Sequence, residues 1–234
     1  VIVSDKESLD NIGRWPWSRE VLADMVDKLS AAKAKVIATT VFYSEPQIDP
    51  GLVYINKLID IYGQAGGSPL APTTSGVPAA PVSAVPAANA AVVPPAPATP
   101  LEQFGAVLAD AEVNLNTDRR LAESFAKAGN VALPMLFRLG SPNGHPDQEL
   151  PEYIRVNAVK ASGGDSPIPT SDVDAMVIES LGKSAAAIGH LNATLDIDGG
   201  IRSEPLVLGY FDQLYPSLSL MIAAKSLNLG VNEI

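Results

Sequence analysis

Between Gln64 and Pro100 the chain reads QAGGSPLAPTTSGVPAAPVSAVPAANAAVVPPAPATP, with no charged residue and nine of the protein's twenty prolines. Proline has no N–H to give to a ladder and cannot continue a helix, and Ala, Gly and Ser bring little surface to bury. The tract therefore divides the chain into two folding stretches. It is expected to be a disordered or polyproline-like Pro/Ala-rich insertion, at about residues 64–100, looping out of a single domain that spans residues 1–234. A flexible spacer is its simpler role, and capture by a proline-recognising partner is the alternative.

The flanking stretches have the apolar pattern of an α/β protein. Residues 1–4, VIVS, read as a short buried strand ending at Asp5. A helix is predicted from Ser18 to about residue 34, with Ser18 as N-cap, Glu20 in the first turn, and Val21, Leu22, Met25, Val26 and Leu29 on one face. Residues 36–43, VIATTVFY, are dense in β-branched and aromatic side chains and read as a second strand. Strand, helix and strand over this length predict a right-handed βαβ unit with parallel strands. Further along, 118–128 reads as a helix ended by Gly129, and 131–137 as a strand interrupted by Pro134. A helix is expected within 171–188, and residues 140–170 read mostly as loop. Residues 191–195 and 201–208 read as a hairpin around IDGG, followed by a helix after Pro216. The predicted fold is thus a mixed β-sheet with an N-terminal βαβ unit, flanking helices and a C-terminal β-hairpin plus helix.

Both tryptophans of the chain fall in GRWPWSRE, residues 13–20. With Ser18 as cap, Trp17 precedes the helix and Leu22 is its fourth residue, the spacing of a hydrophobic staple. Pro16 stiffens the approach. Packing at a helix entry is therefore the expected role of Trp17, and Trp15 is expected to be less buried.

Composition removes several classes of function. A net charge of −10 repels phosphate backbones and makes nucleic acid a poor partner. The absence of cysteine removes thiolate metal sites, a Cys nucleophile and disulfides. His145 and His190 are isolated and lie in no zinc spacing, and His190 is expected to be a packing or surface residue. Asp196 and Asp198 begin like a calcium loop, but its later oxygen ligands and terminal Glu are absent. No nucleophile, base and orienter are assembled, so neither catalytic residues nor a cofactor or metal are expected. The first residues lack the basic start and apolar run of a signal peptide, and no stretch has the length and composition to span a bilayer. With no initiator Met and an abrupt GVNEI end, the sequence is expected to be a piece of a longer chain.

The stretch VIVSDKESLDNIGRWPWSREVLADMVDKLSAAKAKVIATTVFYSEP resembles the N-terminal half of the CHASE type-2 domain, a sensory module named for its association with cyclases and histidine kinases. The landmarks are Asp5, Ser8-Leu9, Gly13, Trp15-Pro16-Trp17, Arg19 and Ser44-Glu45-Pro46. In the second half DRRLAESFAKAGNVALP, IGHLNATLDIDGGIRSEPLVL and YPSLSLMIA resemble the family's later helix, strands and closing helix, with Asp198 and Gly199 in its Asp-x-Asp-Gly turn. Thr40 stands where the family often carries Asp, and Ser4 where an apolar residue is usual.

The resemblance implies a non-catalytic extracytoplasmic input domain of a bacterial membrane receptor. Its implied partners are flanking transmembrane helices, a cytoplasmic cyclase or kinase output, and a small-molecule or protein stimulus. A homodimerisation module of such a receptor is the alternative, and an α/β enzyme a third reading. A ligand site, in open α/β sheets, belongs at the carboxyl edge of the parallel strands. That expectation selects Asp5, Thr40, Ser44 and Glu45. Arg19 and Arg202 are further candidates, for which pairing with nearby carboxylates is the competing role.

Overall fold

In the computed structural model, which describes residues 2, 5–67, 99–142, 144, 149–160 and 168–234, the first described element starts at a helix cap. The Asp5 carboxylate accepts from the Ser8 N–H at 2.9 Å and starts α1 (Lys6–Ile12). The strand expected over residues 1–4 falls outside the described residues except for Ile2, and so does most of the proline-rich tract. Ser18 caps α2 (Arg19–Ala31), as its position implied.

The strand expected over 36–43 is much shorter, and β1 spans only Ile37–Ala38. The Thr39 hydroxyl accepts from the Val41 N–H at 3.1 Å, and this local bond replaces the next ladder bond and turns the chain out of the sheet. Two helices follow, α3 (Pro50–Gln64) and α4 (Pro100–Leu115). Sequence periodicity did not single them out, yet both begin with strong start signals. Asp49 caps Pro50, and Thr99 caps Pro100 with Glu102 closing a capping box. Residues 48–116 form one compact unit, in which α3 and α4 pack on each other with Tyr62 against Phe104.

The other unit comprises residues 1–47 and 117–234. Its remaining elements are α5 (Thr117–Ala128), β2 (Val131–Leu139), α6 (Glu152–Arg155), β3 (Ile168–Ala175), α7 (Glu179–Gly182), β4 (Ala187–His190), β5 (Val207–Tyr210), β6 (Gln213–Pro216) and α8 (Leu218–Ser226). The described residues thus form a mixed α/β fold with eight α-helices and one mixed sheet of six strands. β2 is the trunk of that sheet. Its first half pairs in parallel with β1 (Ile37↔Val131) and with β4 (Leu133↔Ile188), and its second half pairs antiparallel with β3 (Phe137↔Val173). β3 pairs in parallel with β5, which turns back antiparallel into β6. A parallel bridge from His190 to Ser217, the residue after β6, joins the last strand to β4, so the pairings run round a closed path.

Two further segment expectations need correction. First, β3 occupies the start of the stretch read as a helix, which survives only as the short α7. The β2–β3 register shifts twice, so the strand lacks the clean alternation that marks one in sequence. Second, the hairpin expected at 191–195 and 201–208 is reduced to an isolated bridge, Thr194↔Ser203. Its Asp-Gly turn does form, with the Asp196 N–H donating to the Gly200 carbonyl at 2.8 Å. The strand that forms lies earlier, at Ala187–His190, and pairs in parallel with β2, where all four of its residues are buried. The real C-terminal hairpin is β5–β6, turning at Phe211, whose φ is 51°. Gly189 is a contact point between β4 and the start of α8.

Alternation along β2 and β4 divides the interior. Val131, Leu133, Met135, Phe137 and Ile188 enter the main core with Leu121 and Phe125 of α5, Ala23 and Val26 of α2, and Leu181 of α7. Ala132 and Ala187 face the other way, onto Leu218 and Met221 of α8. Small residues on that face let the helix backbone approach. A Cβ on Gly189 would lie 2.7 Å from the backbone N and Cα of Leu218, and backbone cannot swing aside as a side chain can. Gly189→Ala is therefore expected to destabilise the protein by about 1–3 kcal/mol, the usual range for overpacking. Urea denaturation measures it, and an unchanged midpoint would show that α8 can retreat freely.

Candidate functional site

The signature segments meet at Arg19. As the first residue of α2 its cation sits at the positive end of a helix dipole, an unfavourable place without an anion nearby. Asp118 supplies that anion from the first turn of α5, where the dipole favours a carboxylate. The Arg19 Nη1 lies 2.7 Å from Asp118 Oδ1, with both side chains nearly buried. This contact is an ion pair outside hydrogen-bond alignment, since Nη1 has no aligned acceptor. Alignment falls to Nη2, which donates to the Glu45 carbonyl. The guanidinium also lies over the Tyr43 ring, 5.2 Å from its centroid.

Backbone and side-chain bonds complete the clasp. The Arg19 N–H donates to Gln47 Oε1 at 2.8 Å, and the Thr117 hydroxyl donates to the same oxygen at 3.0 Å. The Gln47 N–H donates to Asp118 Oδ2 at 3.0 Å. Burial pushes the Tyr43 hydroxyl up, with Thr39 and the Arg19 charge pulling the other way. The ring edge meets Phe125 of α5. Helix α2, the 43–47 segment and helix α5 are thereby locked together at one point.

Trp17 stands immediately upstream and is buried, 8% exposed, while Trp15 is 45% exposed. The expected difference between the two is present. The indole N–H of Trp17 donates to the Gly13 carbonyl at 2.8 Å, and its ring meets Trp15 edge-on with centroids 5.5 Å apart. Pro16 between them follows a cis peptide bond.

The remaining site candidates are placed as follows. Thr40, Ser44 and Glu45 are exposed on the chain that leaves β1, on either side of buried Tyr43. The clasp uses the main-chain carbonyl of Glu45, and its carboxylate is left outside. Asp5 is occupied as the cap of α1, where the Ser8 N–H and hydroxyl hold its carboxyl below the usual range. Arg202 is an ion-pairing residue. Its Nη1 lies 2.7 Å from Asp196 Oδ2, and its Nη2 lies 2.6 Å from Asp198 Oδ2. Asp198 is held down at about 2 by that bond and by the Gly200 N–H, and Gly199 takes the positive φ that the turn requires. Asp5 and Arg202 thus bond within their own segments, and only Arg19 and Glu45 among the candidates share a contact.

Sequence reasoning missed Asp118, Gln47 and Tyr43. The available signal was Asp118 opening the amphipathic run DRRLAESF, since a lone buried Arg requires a carboxylate partner. A second polar junction lies at β4, where His190 was expected to be a packing or surface residue. His190 is completely buried, and the Asn192 N–H donates to its Nδ1 at 3.3 Å. Asn192 then clamps β2 through its side chain, with Oδ1 accepting from the Phe137 N–H at 3.0 Å and Nδ2 donating to the Phe137 carbonyl at 2.6 Å. Burial lowers the His190 imidazole to about 4. Among the described residues no group of His, Asp and Glu could hold a metal ion, and no helix is long and apolar enough to cross a membrane.

A family model described as the CHASE2 domain matches residues 1–234, and the chain therefore belongs to the CHASE2 family, whose members are extracytoplasmic sensory domains of signalling receptors. No curated protein and no solved structure matches the chain.

Removing one partner of a buried ion pair leaves the other charge uncompensated. Asp118→Ala is accordingly expected to cost about 3–5 kcal/mol in chemical denaturation, and replacing both Arg19 and Asp118 by apolar residues should cost less than the sum of the two single changes. Additivity in that double-mutant cycle would show that the pair is not coupled. At the helix entry, Trp17→Ala is expected to lose about 3–5 kcal/mol and Trp15→Ala much less. Equal losses would assign both rings the same packing role.

Proposed function

We propose that this CHASE2 domain is a non-catalytic input module that binds a small polar stimulus at the carboxyl edge of β1 and relays it through flanking transmembrane helices to a cytoplasmic cyclase or kinase output. The observation that carries this reading is the division of labour in residues 40–47. The Arg19–Asp118 clasp holds the backbone of this segment, while the side chains of Thr40, Ser44 and Glu45 remain exposed. Polar groups presented by a fixed backbone bind with little ordering cost. The same backbone contacts α2 and α5, so a ligand pulling on residues 44 or 45 would act on both helices. The whole chain is read as one sensor domain, a reading supported by the family match running through both compact units.

A second reading, a dimerisation module without a ligand, is favoured by one observation. Leu195, Ile197, Ile201 and Leu206 are all exposed on the segment pinned by Arg202. Sedimentation of the parent and of Ile197→Ser tests it, and a monomeric parent would exclude it.

Ligand binding is tested by thermal shift across small polar metabolites. A stimulus that binds only the native state stabilises it by about 2.7 kcal/mol at a hundredfold its Kd. Thr40→Val and Glu45→Gln are expected to abolish that shift while leaving the unliganded Tm unchanged. A ligand whose shift survives both substitutions binds elsewhere, and the placement at the β1 edge would then fail.

A further inference from the structure

The strand path closes at His190, and this residue is held in an unusual state. Asn192 N–H donation to Nδ1 fixes the neutral tautomer, with Nδ1 as acceptor and the proton on Nε2. Nε2 is buried and has no hydrogen-bond partner among the described residues. A donor left without an acceptor inside a core is costly, so the closed state is under-satisfied at this point. Two structural connections lie beside this imidazole, one made by the main chain of His190 and one by the side chain of Asn192. His190 makes the parallel bridge to Ser217 that joins β4 to the end of β6, and Asn192 substitutes for a ladder partner at Phe137, where β2 passes from pairing with β4 to pairing with β3.

We propose that His190 is an acid-operated latch, in which a proton taken from solvent onto Nδ1 breaks the bond from the Asn192 N–H, releases the Asn192 side chain from Phe137 and opens the seam between β2, β4 and the end of β6. The step is a simple proton addition. The Nδ1 lone pair that accepted from Asn192 becomes an N–H, so two donors face each other and the contact turns repulsive. Among the described residues no charged group acts on the imidazole, so the resulting imidazolium meets no counter-charge there. From β2 the paired residue is Met135, from β6 the neighbouring titratable side chain is Tyr215, and from the start of α8 come Ser217 and Ser219. The Tyr215 hydroxyl is pushed up to about 12 and stays neutral. The Glu204 carboxylate belongs to Ser219, which donates to it. Burial alone lowers the imidazole, with no charged group contributing. The latch is independent of the ligand site proposed at the β1 edge.

The direction of the pH dependence follows from linkage. The closed state holds the imidazole at about 4, against 6.5 for a free histidine. Stabilisation of the closed state is therefore complete above pH 6.5 and is lost as pH falls toward 4. Across that window the opening equilibrium should rise about tenfold per pH unit.

The test uses the full 234-residue chain and reads imidazole nitrogen shifts together with amide hydrogen exchange, corrected for intrinsic rates, from pH 7.5 to 4. The expected result has three parts. The His190 Nδ1 is unprotonated at neutral pH. Protection at Phe137 and Asn192 falls by more than a hundredfold in total, beginning near pH 6.5 and ahead of the titration of the closed-state imidazole. Leu133 and Phe125 stay protected over the same range. The comparison variant is His190→Asn, whose side-chain oxygen can accept from the Asn192 N–H without titrating, and its protection should be flat across this range. Loss of protection in the variant over the same range would assign the effect to carboxylates and overturn the proposal. So would simultaneous loss at Leu133, which signals global unfolding, or an Nδ1 already protonated at neutral pH. Should the variant not fold, the wild-type chain decides alone: a fall in protection at Phe137 of about tenfold per pH unit that sets in near pH 6.5, while the imidazole of the closed state is still neutral, supports the latch, and protection that stays flat until that imidazole titrates refutes it.

Discussion

The folded arrangement of unit 1–47 and 117–234 depends on a buried charge. Arg19 is forced by its position to bring a cation to the wrong end of a helix, and the chain answers with Asp118 at the right end of another. Neither group could be buried alone, because an isolated charge in the interior costs several kcal/mol. Their pairing therefore specifies the meeting of α2 and α5 more sharply than apolar packing could. Leucines and alanines on the two helices tolerate some sliding, whereas an ion pair of 2.7 Å with Gln47 threaded between the partners tolerates little.

The rest of the unit follows from that junction. With α2 and α5 held on one face, the odd-numbered apolar residues of β2 have a layer to pack against, and the small Ala132 on the other face is left for α8. β2 can then serve two sets of partners along its length. The change of partner near Phe137 leaves main-chain groups without a strand, and the Asn192 amide fills that place. A side-chain amide carries one donor and one acceptor in the spacing of a peptide, so it satisfies both groups of Phe137 at once.

On the proposed reading of a sensory domain, these two polar junctions divide the work. The Arg19 clasp is solvent-shielded, charged on both sides and tied by several bonds, so it is suited to transmit force between the 43–47 segment and two helices. The His190 junction is neutral and incompletely bonded, so it is suited to change state. Signalling needs both kinds of element, since a stimulus can shift only an equilibrium in which the two states differ in their interactions with it.

Much of this was legible in the sequence. Ser18 as cap, the apolar stripe of α2, Gly129 ending α5, the α/β class and the family all follow from local rules, because capping and periodicity involve residues within a turn of one another. Trp17 buried and Trp15 half exposed also follow, from their position relative to the cap. What tertiary structure decided is which strand pairs with which. Residues 191–195 and 201–208, on either side of IDGG, look like neighbours, but the strand that forms is AIGH just before them, because β2, more than fifty residues upstream, offers it a parallel partner and a fully buried place, and that burial outweighs a tight turn. The same holds for the site. Arg19 and Glu45 were chosen from motif positions, yet the guanidinium takes the Glu45 main-chain carbonyl, and its carboxylate is Asp118, about a hundred residues away. Short-range pattern determines what each residue can do; long-range contact determines which partner completes it, because charge and backbone groups must be satisfied by whatever the folded chain brings within reach.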